Sequence, residues 1–316
     1  MKQFSHAWLA FKAIERLEKT TLNADNRLYA DEFIRWFWNH RDGIIKGAWY
    51  PDMVIKDMAN SHVLKFTPSD QGTTEVRSLP ESCKITAFAV QSPLWDQSYD
   101  AADPSDNLPE RCEALAHSII DNAKMKETEE RGSPISPTNN HIATRLFMLS
   151  HYIADAHVPL HCDNRRFSSP PDIHGKLEDT WDDEVRKHFE LDLLNDRFYY
   201  NPDGYPLRAN TDYSDSFLKQ VDDGLATRPF SIGYGGVNNN VRTYMLAVCQ
   251  NSYLLSYAFF PPQYNETNVN TQNWKSLPGQ LLDLDQLSEV VFSDAIDAIA
   301  RVWFRVWRRY INWVNR

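Results

Sequence analysis

The segment HYIADAHVPLH, residues 151–161, concentrates three histidines and an aspartate. On a helix His151 and Asp155, four apart, point the same way. His161 follows Pro159, a residue expected to end the helix and turn the chain. A second pair, His174 and Glu178 in IHGKLEDTWDD, repeats the i, i+4 spacing. An imidazole and a carboxylate on one helix face can chelate a divalent cation, and this donor mixture suits zinc. Either pair alone is a weak signal, because such spacings arise by chance and often form hydrogen bonds on a helix surface. Two pairs with a histidine between them weight the reading towards metal.

Helices must position these side chains, and helical periodicity dominates the chain. Phe4, Trp8, Phe11, Ala13 and Leu17 approximate one apolar face, and Phe33, Ile34, Phe37 and Trp38 suggest another. Further helices are expected near residues 109–127, 141–157, 175–192, 241–258 and 285–314. Long polar stretches rich in Pro, Gly, Asn and Ser separate them, at 66–108, 128–140, 163–173, 198–215, 227–240 and 261–284. No repeat, low-complexity tract or interdomain linker stands out. The pattern predicts one all-α, multi-helix domain over residues 1–316 with long connecting loops.

Composition narrows the function classes. The chain has 316 residues, 42% of them hydrophobic, and a net charge of −10. That charge argues against stable, charge-driven binding to duplex nucleic acid. No apolar run is long enough for a membrane span. MKQFSHAWLAFKAIERL reads as an amphipathic helix and not as a signal peptide, which favours a cytoplasmic protein over a secreted one. Cys83, Cys112, Cys162 and Cys249 are widely spaced and are expected to be free or buried thiols. In RVWFRVWRRYINWVNR, Arg301, Arg305, Arg308, Arg309 and Arg316 fall roughly on one helical face, opposite Trp303, Trp307, Tyr310 and Val314. The favoured reading packs the aromatics on the core and leaves the arginines solvated. A transient membrane-surface contact is the alternative.

HYIADAHVPLH followed by HGKLE resembles the core of the zinc-dependent phospholipase C superfamily, which also contains the trinuclear-zinc single-strand nucleases, or 3′-nucleotidases. SHAWLAFKAIERL, carrying His6, resembles that family's N-terminal metal helix. GAWYPDMVIKDMANSH, carrying Asp52 and His62, resembles its second contribution. The likeness covers residues 1–182. It implies the all-α fold of that family and up to three Zn2+ ions. Asp52, His62, His151 and Asp155 would hold the first and His161, His174 and Glu178 the second. His6, the N-terminal amine and carbonyl of Met1, and a bridging Asp155 would hold the third. Met1 lies five residues before His6, and Lys2 disfavours methionine removal, so Met1 is expected to stay and serve. The Asp52–His62 gap is shorter than the family's, leaving Asp57 as a substitute for Asp52.

The resemblance implies a zinc metallohydrolase acting on phosphodiesters, with a zinc-activated water attacking phosphorus and Asp52 and Asp155 as catalytic residues. Three divalent ions exceed the charge of Asp52, Asp155 and Glu178, leaving a positive excess suited to a phosphate diester. Glu178 and the short His161–His174 loop resemble the phospholipase branch, whereas the Met1–His6 spacing resembles the nuclease branch. Val63 in place of an aromatic residue weighs against the nuclease. The expected substrate is therefore a phospholipid, with single-strand nuclease or 3′-nucleotidase as the alternative. A non-catalytic protein whose helices zinc merely staples is the alternative of another class. His157 is expected to support the ligands or the core, and His40, His117, His141 and His188 to be surface or helix residues. Arg165 and Arg166, with SSPPD, are candidates for a substrate rim.

Overall fold

The computed structural model describes residues 1–56, 61–66, 107–128, 133–168, 170–234 and 240–314. Its helices are α1 (Gln3–Lys19), α2 (Ala24–Trp38), α3 (Ile44–Tyr50), α4 (Leu108–Thr128), α5 (Asn139–Ala156), α6 (Pro159–Cys162), α7 (Ile173–His188), α8 (Phe217–Thr227), α9 (Val241–Phe259) and α10 (Leu284–Val314). A two-residue antiparallel pair, β1 (Leu191–Asp192) and β2 (Arg197–Phe198), is the only sheet among the described residues. The all-α expectation holds.

Most expected helices lie close to where periodicity puts them, with informative differences. The helix expected at 175–192 stops at His188, where β1 takes over. The short α3 and α8 carry too few turns to announce themselves by periodicity. The helix carrying His151 ends at Ala156, before Pro159. Pro159 itself opens α6, a position where its missing N–H costs nothing.

α1 and α10 form the centre of the bundle. Trp8, Phe11, Trp303 and Phe304 are fully buried, and α1 packs along α10. Phe33 of α2 closes on Trp307 with ring centroids 5.2 Å apart, and Phe11 meets Phe37 edge-on at 5.9 Å. Offset and edge contacts of this kind add specificity to the apolar burial. The aromatic side of α10 thus packs on the core, but its arginines are not uniformly solvated. Arg301 is buried and donates to Ser231 O at 2.7 Å and Tyr244 Oη at 2.5 Å. Arg305 sits 4.2 Å from the Tyr234 ring centre, while Arg308 and Arg309 are exposed. Buried Arg16 of α1 bonds Asp297 of α10 at 2.8 Å and also the carbonyls of Leu225 and Arg228. Both charges have partners, as burial demands.

Two close approaches position the region around His151. Gly47 lets α3 lie against α5, since a Cβ there would stand 2.7 Å from Phe147 Cδ2. Residues 61–66 are held by Leu64 N to His161 O at 3.2 Å and Phe66 N to Cys162 O at 2.9 Å. Cys112, Cys162 and Cys249 are buried free thiols, and Cys83 lies outside the described residues.

Candidate metal centre

Five parts of the chain converge: the start of α1, the exit of α3, residues 61–66, the C-terminal turns of α5 with α6, and the first half of α7. Nine side chains or termini proposed from the sequence come together there. Three groups of donors result, each with ligand atoms within 4.8 Å of one another: His6, His151 and Asp155; Asp52, His62 and His151; His161, His174 and Glu178. Asp57, the substitute for Asp52, lies outside the described residues.

The spacings match what a cation requires. Tetrahedral donors at ~2.0–2.1 Å from a metal stand ~3.3–3.4 Å from one another. His151 Nε2 lies 3.3 Å from His62 Nδ1 and 3.5 Å from Asp52 Oδ1. His6 Nε2 lies 3.4 Å from Asp155 Oδ1. Glu178 Oε1 is 3.2 Å from His161 Nε2 and 3.1 Å from His174 Nε2.

The outward ring nitrogens explain how the histidines are aimed. His151 Nδ1 donates to Ala48 O at 2.7 Å, and His161 Nδ1 donates to His62 O at 2.8 Å. Each bond fixes the tautomer and leaves the Nε2 lone pair directed into the cluster. His174 Nδ1 is 3.2 Å from Ser168 Oγ. Gly47, by bringing α3 against α5, is what puts the Ala48 carbonyl within reach of His151.

His6 tests the fit most severely. It is 1% exposed, its ring stacks on that of His151 at 4.0 Å, and among the described residues neither ring nitrogen has a hydrogen-bond partner. Burial, then the proximity of His151, holds its pKa well below the usual histidine range. A neutral imidazole without partners, facing a buried carboxylate, is the donor state a cation needs. The chain's own residues therefore fit a divalent cation.

Electrostatics carry the same demand for positive charge. Burial opposes ionisation of Asp155, yet the Met1 amine and His151 hold its carboxyl well below the usual range. Burial also opposes protonation of His151, but Asp155 and Asp52 outweigh it and raise the imidazole to about 9. The Met1 nitrogen lies 2.6 Å from Glu178 Oε1 and 3.3 Å from Asp155 Oδ1. It therefore links the His161–His174–Glu178 group to Asp155, a closeness to Glu178 that the sequence did not indicate. His151 likewise belongs to two groups where one was expected. His62 Nδ1 lies 2.8 Å from Asp155 Oδ2, so Asp155 meets donors from α1, from residues 61–66 and from its own helix.

One residue of consequence went unnoticed in the sequence. Asp182 of α7 accepts from Phe4 N at 2.7 Å and Ser5 N at 2.9 Å through Oδ1, and from Arg186 Nε at 2.7 Å through Oδ2. α1 has no acidic residue in its first turn, so α7 supplies the cap across the interface. Asp182 follows Glu178 by four and His174 by eight, and that continued helical repeat was the available signal.

The remaining residues separate cleanly. His157 is buried, with Nδ1 donating to Ile153 O at 2.7 Å, and belongs to no donor group. His40 bonds Trp36 O, His117 pairs with Glu113, and His141 takes part in the N-cap of α5. His188 departs from the surface reading: it is 1% exposed and bonded to Thr211 and Glu184. Arg165 is no free substrate rim. Its guanidinium binds Asp163 and the carbonyls of Phe260, Pro261 and Tyr264, whereas Arg166 is exposed.

No protein-family model matches the chain, and no curated protein matches it.

Proposed function

We propose that the protein is a zinc-dependent phosphodiester hydrolase of the phospholipase C type, acting on phospholipid. The observation that carries this reading is the gathering of His6, Asp52, His62, His151, Asp155, His161, His174 and Glu178 into three adjoining donor groups around Asp155. The resemblance of the two histidine–carboxylate motifs to the zinc-dependent phospholipase C superfamily supplies the metal and the reaction class. Bound divalent ions supply Lewis-acid polarisation of a phosphoryl oxygen and lower the pKa of water.

The residues divide the remaining work. Asp155, 2% exposed, is enclosed by histidines and acts as the anionic anchor of the centre. Asp52 is 16% exposed, more than His151 and His62 beside it, so its carboxylate can serve as a ligand and also orient an attacking water. Ala48 and His62 carbonyls keep His151 and His161 aligned through their Nδ1 bonds.

A second reading has its own support. Trp49 is half-buried, with its ring centre 6.2 Å from that of His6 and 6.1 Å from that of His151. An aromatic face beside the donors suits a nucleobase, as a single-strand nuclease or 3′-nucleotidase needs. The deciding experiment assays zinc-loaded protein side by side on phosphatidylcholine and single-stranded DNA, with His151→Ala and Asp155→Ala as controls. Turnover of phosphatidylcholine, lost with metal in both variants, is expected. Turnover of DNA alone selects the second reading. Full activity and full metal content in either variant refutes both.

A further inference from the structure

The edge of the metal centre carries an apolar surface that the centre's chemistry does not use. Directly after Asp52 the chain makes one π-helical turn, Pro51–Ile55. Met53, Val54 and Ile55 point outward from it, 66%, 57% and 46% exposed. Isolated apolar side chains are ordinary on a protein surface, but three in succession beside a site are not. The turn is closed by Lys56 N to Pro51 O at 2.7 Å, with Lys56 in the left-handed region at φ 56°. These side chains are therefore presented by a hydrogen-bonded turn.

Their neighbours define the partner. Lys46 and Lys56 are exposed on either side, and among the described residues neither forms an ion pair. Trp49 and Tyr50, between them in the sequence, are half-buried. In a chain of net charge −10, two exposed lysines that form no ion pair among the described residues stand next to an aliphatic ridge in the sequence. Aliphatic tips, amphipathic aromatic rings and flanking lysines are the composition that settles at a bilayer interface.

We propose that this ridge seats the protein on a phospholipid bilayer, with Met53, Val54 and Ile55 entering the headgroup–acyl boundary and Lys46 and Lys56 meeting phosphates. The inference deepens the phosphodiesterase reading and rests on it for the direction in which the substrate arrives. Asp52 immediately precedes the inserted side chains, so docking would bring the scissile phosphate to the donors without drawing a lipid far from the membrane. A second copy of the chain is the weaker occupant. Three partly exposed side chains offer well under the ~800 Å² per partner that a stable interface buries.

The test uses the full zinc-loaded chain, vesicles of phosphatidylcholine with a minor share of phosphatidylserine, and a water-soluble aryl phosphodiester. The triple substitution Met53→Ser, Val54→Ser, Ile55→Ser is expected to weaken vesicle co-sedimentation at least about tenfold. It should leave turnover of the soluble diester unchanged. Lys46→Glu, away from the turn, should weaken co-sedimentation several-fold at low salt and keeps the test decisive if the triple variant misfolds. Equal co-sedimentation of the variants and the parent overturns the proposal. So does a parent protein that cleaves the soluble diester but stays in the supernatant, a result that leaves the phosphodiesterase reading standing. Self-association abolished by the triple substitution, without vesicle binding, also overturns it. Vesicle binding that depends on the ridge, with no hydrolysis of either substrate, supports the ridge and removes the phosphodiesterase reading.

Discussion

Replacing Asp182 by alanine should damage a centre that this residue does not touch. Its Oδ1 accepts the Phe4 and Ser5 amides at 2.7 and 2.9 Å, and the residue is 5% exposed. Two amides would lose a charged acceptor inside the protein, and α1 would lose the anion facing its positive end. Hydrogen bonds to charged groups contribute ~1.5–3 kcal/mol each, and a helix-terminal anion up to ~2 kcal/mol. Because the same two bonds carry much of the terminal effect, the combined cost is about 3 kcal/mol, read as a lower urea midpoint with an unchanged slope. The selective consequence lies in metal binding. The turn released by the substitution precedes His6 and follows Met1, whereas His161, His174 and Glu178 are held by other segments. Titration of chelator-stripped protein should show the His6-containing site weakened ~10–100-fold, with the His161 group retained. Asp182→Asn, which keeps an acceptor oxygen, should fall between. Unchanged stability together with unchanged affinity at every site would refute the claim that α7 positions α1.

Other expectations concern the supports of the site. Gly47→Ala places a Cβ 2.7 Å from Phe147 Cδ2, so α3 must move off α5 and the Ala48–His151 bond lengthens. A cost of ~1–3 kcal/mol is expected, and metal affinity should fall with it, checked by thermal unfolding and metal titration of the same preparation. Arg165→Ala leaves fully buried Asp163 without its guanidinium and should cost ~3–5 kcal/mol in chemical denaturation, while zinc stoichiometry in the folded fraction stays unchanged. Removing metal with a chelator should lower the melting temperature, and the loss should reverse on adding zinc.

Two pairs of donors were legible because helices repeat, whereas Met1, His6, Asp52 and His62 came from the family resemblance. His151 with Asp155, and His174 with Glu178, follow the spacing that puts side chains on one face. The apolar stripes of α1, α2, α5 and α10 follow the same rule. What escaped depends on contacts between segments far apart in the chain. The sharing of His151 by two groups arises from how α1 and α3 approach α5, and no local pattern encodes it. Ala48 orients His151 through its backbone, so its side-chain identity carries no trace of that role. Arg301 reads as one more charge on a solvated face, yet Tyr244 and Ser231, from other segments, enclose it. Pro159 reads as a terminator because it cannot continue a helix, but the same locked backbone angle equally suits a first turn.

The cap that α7 lends to α1 has a consequence for the order of assembly. α1 precedes α7 in the chain, and the carboxylate that completes its first turn lies 178 positions beyond Phe4. The long partner along its flank, α10, comes later still. During synthesis α1 therefore emerges well before the groups that hold it, with Trp8 and Phe11 lacking their final neighbours. Contacts of such sequence separation form slowly. A helix translated before its partners is thus completed only once they exist, and the His6 side of the centre forms with the arrival of α7 and α10.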